Sequence, residues 1–226
     1  MSCSRSCFAA LLFFLFSVSA SADFLRVEGG IGLFHAEPGG SFEAKNSGTD
    51  LDLKQAGIDT ENDLYAWLYL KHPVPIIPNV RVEYLDLTHK PDGGGTFDVK
   101  ELDGILYYNL LDNLLFITAD LGVDVKYVEA TGSMLDGTAT LALLYGRVRV
   151  EPVEWLGIEA LLEATNYGDN KGYDARVKLD YTMTFVPVIQ PGLEVGYRIH
   201  KLQYKIGDYI DKGEYSGVYA GLMVRF

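Results

Sequence analysis

Polar and apolar residues alternate with a period of two along most of this chain. Between Tyr173 and Phe185, the residues Tyr173, Ala175, Val177, Leu179, Tyr181, Met183 and Phe185 share one face, while Asp174, Arg176, Lys178, Asp180, Thr182 and Thr184 take the other. A β-strand turns successive side chains to opposite sides, so this pattern predicts a strand, and a helix could not sort the residues in this way. The same alternation runs through residues 115–126, 156–165 and 193–200, with weaker copies at 25–34, 64–71, 80–87, 97–108, 138–150 and 214–226. These runs predict ten strands, each near the ~9–11 residues that cross a bilayer at a tilt. The phase slips near Leu102 and Leu144, where a bulge is expected.

The connections between runs alternate in character. Short turns are expected at 73–79, 109–113, 151–155 and 186–191, and longer or Gly-, Asp- and Asn-rich ones at 36–63, 91–96, 128–137, 167–172 and 207–213. Short turns on one side and longer loops on the other are the habit of bacterial membrane barrels. The predicted class is all-β, a single antiparallel up-and-down transmembrane β-barrel of ten strands, with eight or twelve as alternatives. The chain closes on Leu222, Val224 and Phe226 in alternate positions, a pattern resembling the C-terminal signal read by bacterial barrel-assembly machinery.

The amino-terminal segment changes the picture of location. One positive charge at Arg5, the apolar run Phe8 to Phe16 and the small residues Ala20-Ser21-Ala22 have the layout of a secretory signal, so residues 1–22 are expected to be cleaved and residues 23–226 to form the barrel. Both cysteines, Cys3 and Cys7, fall in the segment expected to be lost, which excludes a disulfide scaffold or a thiolate metal site in the rest. Beyond the signal, the longest stretch free of Asp, Glu, Lys and Arg is Tyr181 to Leu193, broken by two prolines. A membrane crossing would therefore have to be made by a closed barrel. The net charge of −12 argues against nucleic acid as a partner.

If the apolar rows face lipid, the charged rows face the lumen, because Lys or Arg turned to the bilayer midplane costs roughly 2–4 kcal/mol each. The inward set is then Arg26, Glu28, Arg81, Glu83, Glu101, Asp103, Asp120, Asp124, Lys126, Arg147, Arg149, Glu159, Glu163, Arg176, Lys178, Asp180, Glu194, Arg198 and Arg225. Nine are basic and ten acidic, so a nearly neutral lumen filled by mutual pairing is expected. A ring of about ten strands is only slightly wider than the eight-strand barrel that side chains fill, so a narrow or closed interior is predicted rather than a diffusion pore. A soluble, lipocalin-like binder would instead require an apolar interior. Aromatic girdles are expected at the outer strand ends from Tyr127, Tyr167, Tyr173, Tyr204 and Tyr215, and at the opposite ends from Tyr108, Trp155, Phe185 and Phe226.

Candidate chemistry is sparse. Asp86, His89, His35 and His200 are candidates for a rim hydrolase acting on lipid or peptide, which needs a histidine within hydrogen-bond reach of a carboxylate or hydroxyl. Asp86 and His89, three apart on a strand, should point to opposite faces. The acids of the first outer loop, Glu37, Glu43, Asp50, Asp52, Asp59, Glu61 and Asp63, lack the spacing of a calcium loop, and a solvated loop with a short helix over 51–58 is expected there. Gly93 to Gly95 reads as turn chemistry. No cofactor and no metal site is predicted.

The Asp50-Leu-Asp-Leu-Lys-Gln segment, Tyr65-Ala-Trp67, His72-Pro-Val-Pro-Ile-Ile-Pro-Asn79 and the terminal Phe226 resemble an uncharacterised family of small proteobacterial outer-membrane β-barrel proteins. That resemblance implies location and fold and carries over no catalytic residue. The expected function is that of an integral outer-membrane barrel with both termini periplasmic and a structural, surface-interaction or narrow-channel role. Its expected partners are outer-membrane lipid, lipopolysaccharide and, during biogenesis, the barrel-assembly machinery.

Overall fold

Each alternating run forms a strand, and most strands outlast their runs at the end far from the termini. The computed structural model describes residues 25–44, 49–52, 61–74, 76–89, 97–132, 136–206 and 209–226, with positions 42–44, 49–52, 61, 89, 97 and 209 described by backbone alone. The expected signal segment lies outside the described residues.

β1 (Arg26–Ala44) carries a short partner, β2 (Thr49–Asp52), against its far end. The sheet then runs by antiparallel neighbours through β3 (Glu61–Lys71), β4 (Asn79–His89), β5 (Phe97–Leu114), β6 (Ile117–Gly132), β7 (Gly137–Val153), β8 (Leu156–Tyr167), β9 (Asn170–Thr182), β10 (Gln190–Ile206) and β11 (Tyr209–Arg225). β3 pairs with β1, and β11 returns to β1 with Glu28 opposite Arg225 and Ala44 opposite Tyr209. Setting β2 aside, ten strands close into an up-and-down barrel, as the alternation predicts. Closure leaves no long unpaired edge, the only way a sheet can satisfy its backbone in hydrocarbon. No helix occurs among the described residues.

Both ends of the barrel chain and the connections 72–78, 115–116, 154–155 and 183–189 lie at one end, called here the turn end. The other is the loop end. Several expectations need correction there. The segments 167–172 and 207–213 do not form broad loops: β8 and β9 meet through Gly168 and Asp169, and β10 and β11 keep pairing up to Ile206 and Tyr209. Gly168 has φ +62°, the left-handed value a tight hairpin wants at its first central residue. Of the helix expected over 51–58, Leu51 and Asp52 are strand, paired with Phe42 and Ser41, and 53–58 lie outside the described residues. So does the triglycine.

The phase slips also resolve differently. β4, β5 and β6 keep an unbroken register past Leu102, and β6, β7 and β8 past Leu144. The register shifts instead beside the turns, between Asn109 and Leu114 and between Val150 and Val153. The polarity pattern loses phase because Ile105, Tyr107, Leu141, Leu143 and Tyr145 are apolar yet buried inside, so polarity stops reporting direction while the pleat continues. Leu115 and Phe116, expected to begin a strand, form the turn itself, both exposed with φ of 53° and 68°.

The outer face is apolar over a continuous band. Val27 to Leu33 on β1, Leu64 to Leu70 on β3, Ala119 to Tyr127 on β6, Tyr173 to Tyr181 on β9 and Pro191 to Ile199 on β10 show only apolar residues or glycine at outward positions. Toward the loop end the same face turns polar on strand after strand: His35, Asn62, Asp86, Lys100, Glu129, Asn166, Lys171, Lys201 and Glu214. Tyr108, Trp155, Phe185 and Phe226 are exposed near the turn end, and Tyr127, Tyr167 and Tyr173 toward the loop end. Tyr204 and Tyr215 are not part of that outer ring. They are 2% and 3% exposed inside the barrel, because each shares its parity with the inward residues of its strand.

Candidate functional site

Among the described residues, the lumen is where ionisable side chains from all sides of the barrel converge. Parity explains it: on each strand the charged positions fall on one set of alternate residues, and ring closure turns that set inward. The side chains stack from the turn end upward.

At the turn end, Arg26 forks onto Glu151 with 2.8 and 2.9 Å contacts and donates through Nε to Glu28 at 2.7 Å. Arg225 joins the same two carboxylates at 2.7 and 3.0 Å. Above them Arg149 makes a bidentate pair with Asp180 at 2.7 and 2.8 Å, and Arg147 bridges Asp120 at 2.7 Å and Glu159 at 2.8 Å. Such forked guanidinium–carboxylate pairs are the geometry in which buried charge is least costly.

The middle of the lumen is organised around Glu194. One of its oxygens accepts from Tyr65 Oη and from Trp67 Nε1, both at 2.8 Å, and the other lies 3.2 Å from Lys178 Nζ. The Trp67 indole is in turn covered by Arg81 at 5.0 Å and Lys178 at 4.3 Å from the ring centroid, a cation–π arrangement. Gly30, opposite Trp67 in the ladder, is needed here: a Cβ on it would collide with the indole and with Glu194. Arg81 pairs with Glu83 at 2.5 Å and reaches Glu159 at 3.7 Å. The space left among these groups is about 20 Å³, bounded by Trp67, Arg81, Glu159, Arg176, Lys178 and Arg198 among others. That volume holds about one water.

Above this layer Arg176 links Glu83 and, at 2.9 Å, Glu163, and Arg198 pairs with Asp174. His200 is held between Asp174 Oδ2 at 3.0 Å and Glu101 Oε1 at 3.1 Å. Lys126 contacts Asp103 at 2.7 Å and Glu101 at 3.1 Å. Asp124 lies beside them with no hydrogen-bond donor on either oxygen. Toward the loop end the lumen is lined mainly by apolar residues, Leu85, Leu87, Val99, Val128, Leu141, Leu202, Tyr204 and Ile206, with Asp63 and Asp211 buried among them.

The structure thus places all of Arg26, Glu28, Arg81, Glu83, Glu101, Asp103, Asp120, Asp124, Lys126, Arg147, Arg149, Glu159, Glu163, Arg176, Lys178, Asp180, Glu194, Arg198 and Arg225 toward the interior. Sequence reasoning missed Glu151, assigned to a turn, and Asp174, although both share parity with inward arginines on their own strands. It also missed the apolar layer at the loop end and the aromatic residues around Glu194. The added carboxylates make the interior more acidic than the expected near-neutral balance.

The rim residues do not converge. His35 is on the outer face, 3.0 Å from Asn62 Oδ1, and Asp86 is also outward, accepting from Tyr84 Oη at 3.0 Å. The side chain of His89 lies outside the described residues. His200 does meet carboxylates, so the distance criterion alone does not remove a hydrolase, yet both its ring nitrogens are occupied by Asp174 and Glu101 and it is buried. Nothing among the described residues points to catalysis. Leu222 and Phe226 are exposed on the outer face with Val224 half-buried between them, and the Phe226 amide donates to the Val27 carbonyl at 2.8 Å across the seam with β1.

No family model matches the chain, and no curated protein matches it. Among solved structures, the chain is similar to a Pseudomonas aeruginosa FadL homologue, with 7% identity over 90% of this chain and 90% of that one and a TM-score of 0.42. The barrel assignment rests on the closed hydrogen-bond ladder and draws nothing from that likeness.

Proposed function

We propose that this chain is an integral protein of a Gram-negative outer membrane, a small barrel closed by its own ion pairs, with a structural or surface-interaction role and no diffusion pore. The observation that carries this reading is the uncharged outer band. Its nine residues on β6, Ala119 to Tyr127, rise about 3.4 Å each and at a tilt near 40° span about 23 Å. A lipid-facing band is about 25 Å tall, whereas soluble monomers rarely expose apolar patches beyond a few hundred Å². The outward aromatic residues near both margins fit the lipid interfaces.

In this reading the turn end and both termini are periplasmic, and the polar collar from His35 to Glu214 meets the headgroups of outer-leaflet lipopolysaccharide. The terminal row Leu222, Val224 and Phe226 serves as the assembly signal. Because the lumen is packed with salt bridges around about 20 Å³ of free space, purified protein in planar bilayers should give no steady single-channel conductance. Reproducible open-state steps in the wild-type chain would refute the closed-barrel reading. Deleting Phe226 should cut the amount assembled in cell outer membranes several-fold while leaving refolding in detergent intact. Equal losses in both assays would make Phe226 a packing residue only.

A further inference from the structure

We infer that Asp103 on β5, Asp124 on β6 and Glu163 on β8 form a binding site for a hard divalent cation of calcium size inside the barrel. Each of the three offers a carboxylate oxygen, these atoms lie within 4.8 Å of one another, and the residues are 1%, 0% and 0% exposed. Calcium–oxygen bonds of roughly 2.4 Å separate two ligands on one ion by at most about 4.8 Å, so one calcium ion can reach all three oxygens. An all-oxygen donor set suits calcium, magnesium or manganese and not the softer metals.

Asp124 is the observation that makes this more than a group of acids. In the ladder it stands between Ile105 and Leu143, both buried and apolar, so neither neighbour can donate to it. Both its oxygens are buried without a hydrogen-bond partner, as is Glu163 Oε2. The nearby cations are shared among several carboxylates, and none is paired with Asp124. Lys126 is shared with Glu101, lies 2.7 Å from Asp103 and stays 3.9 Å from Glu163, and Arg176 serves Glu83 and Asp174 as well as Glu163.

The charge balance of the two halves points the same way. Toward the turn end, Arg26, Arg81, Arg147, Arg149, Lys178 and Arg225 face Glu28, Asp120, Glu151, Glu159, Asp180 and Glu194, one cation for each carboxylate. Toward the loop end, Glu83, Glu101, Asp103, Asp124, Glu163 and Asp174, with Asp63 and Asp211 also buried there, meet Lys126, Arg176, Arg198, His200 and the Arg81 that lies 2.5 Å from Glu83. A divalent cation on Asp124 supplies the missing positive charge and ties three strands together across the lumen.

The full chain purified in detergent is folded in parallel with CaCl2 and with EDTA, so that a closed lumen cannot hide the site. The calcium-folded protein should retain about one ion per chain after desalting and unfold at a higher temperature than the EDTA-folded one. Terbium, used as a luminescent probe, should be sensitised by Tyr145, which lies opposite Glu163 in the ladder. Asp124→Asn and Glu163→Gln should each weaken terbium and calcium binding at least tenfold, while Glu214→Gln, on the exposed Lys201 pair, should not. If wild-type protein folded with calcium keeps no ion and unfolds like the EDTA sample, protons and not a metal neutralise the cluster and the proposal is overturned. Wild-type affinity in Asp124→Asn would overturn it equally. Should one variant fail to fold, the wild-type comparison and the other variant still decide.

Discussion

Burying a carboxylate costs least where donors and cations surround it, and Glu194 has two donors, Tyr65 Oη and Trp67 Nε1, with the Lys178 ammonium 3.2 Å from its other oxygen. Removing it strands two neutral donors and a lysine in the middle of the lumen. Glu194→Ala should therefore lose about 3–5 kcal/mol of stability, measured by urea unfolding in lipid vesicles. Trp67→Phe, which deletes one donor and weakens the cation–π contacts, should lose only about 1–2 kcal/mol. A loss below ~1 kcal/mol for Glu194→Ala would mean that water reaches the site freely. At this scale the sequence was readable wherever charge marked parity: Arg176, Lys178 and Asp180 are inward because Val177 and Leu179 are outward. It was silent on Tyr65 and Trp67 and put Tyr204 and Tyr215 in the outer girdle, whereas both are buried inside. A tyrosine or tryptophan tolerates lipid, interface and polar lumen alike, so its chemistry does not reveal its direction. Gly30 gave no signal either, since its role is the space it leaves for an indole on the neighbouring strand.

The strand is the scale at which alternation has thermodynamic force. A one-residue slip would turn every charge on that strand to the outer face, so register is strongly specified. Val177 and Thr140 are both outward, one within the apolar band and the other nearer the loop end. Val177→Arg should destabilise the vesicle-embedded protein by roughly 2–4 kcal/mol and Thr140→Arg by about 0–1 kcal/mol. Equal costs at the two depths, or none at either, would remove the lipid band. Strand existence and order were legible, but strand ends were not. The runs 193–200 and 214–226 understate β10 and β11 because, beyond the band, the outer face turns to Lys201, Glu214 and Ser216 while backbone pairing continues. The false bulges at Leu102 and Leu144 arose where apolar residues occupy both faces. The real irregularities sit beside turns, where Asn113, Leu115 and Phe116 take positive φ without being glycine.

For the molecule as a whole, the ion pairs join strands remote in the chain. Arg26 of β1 meets Glu151 of β7, Arg176 of β9 meets Glu83 of β4, and Arg225 of β11 meets Glu28 of β1. None of these contacts can exist in a hairpin of consecutive strands or in either half of the chain. A partly zipped sheet would have to carry its charged face either in water or, at several kcal/mol per residue, in hydrocarbon. In the proposed bilayer setting, insertion and closure are bound together: a chain stalled with β11 unpaired would have nowhere in the bilayer to put its arginines, and the seam between the first and last strands would be the commitment point of biogenesis.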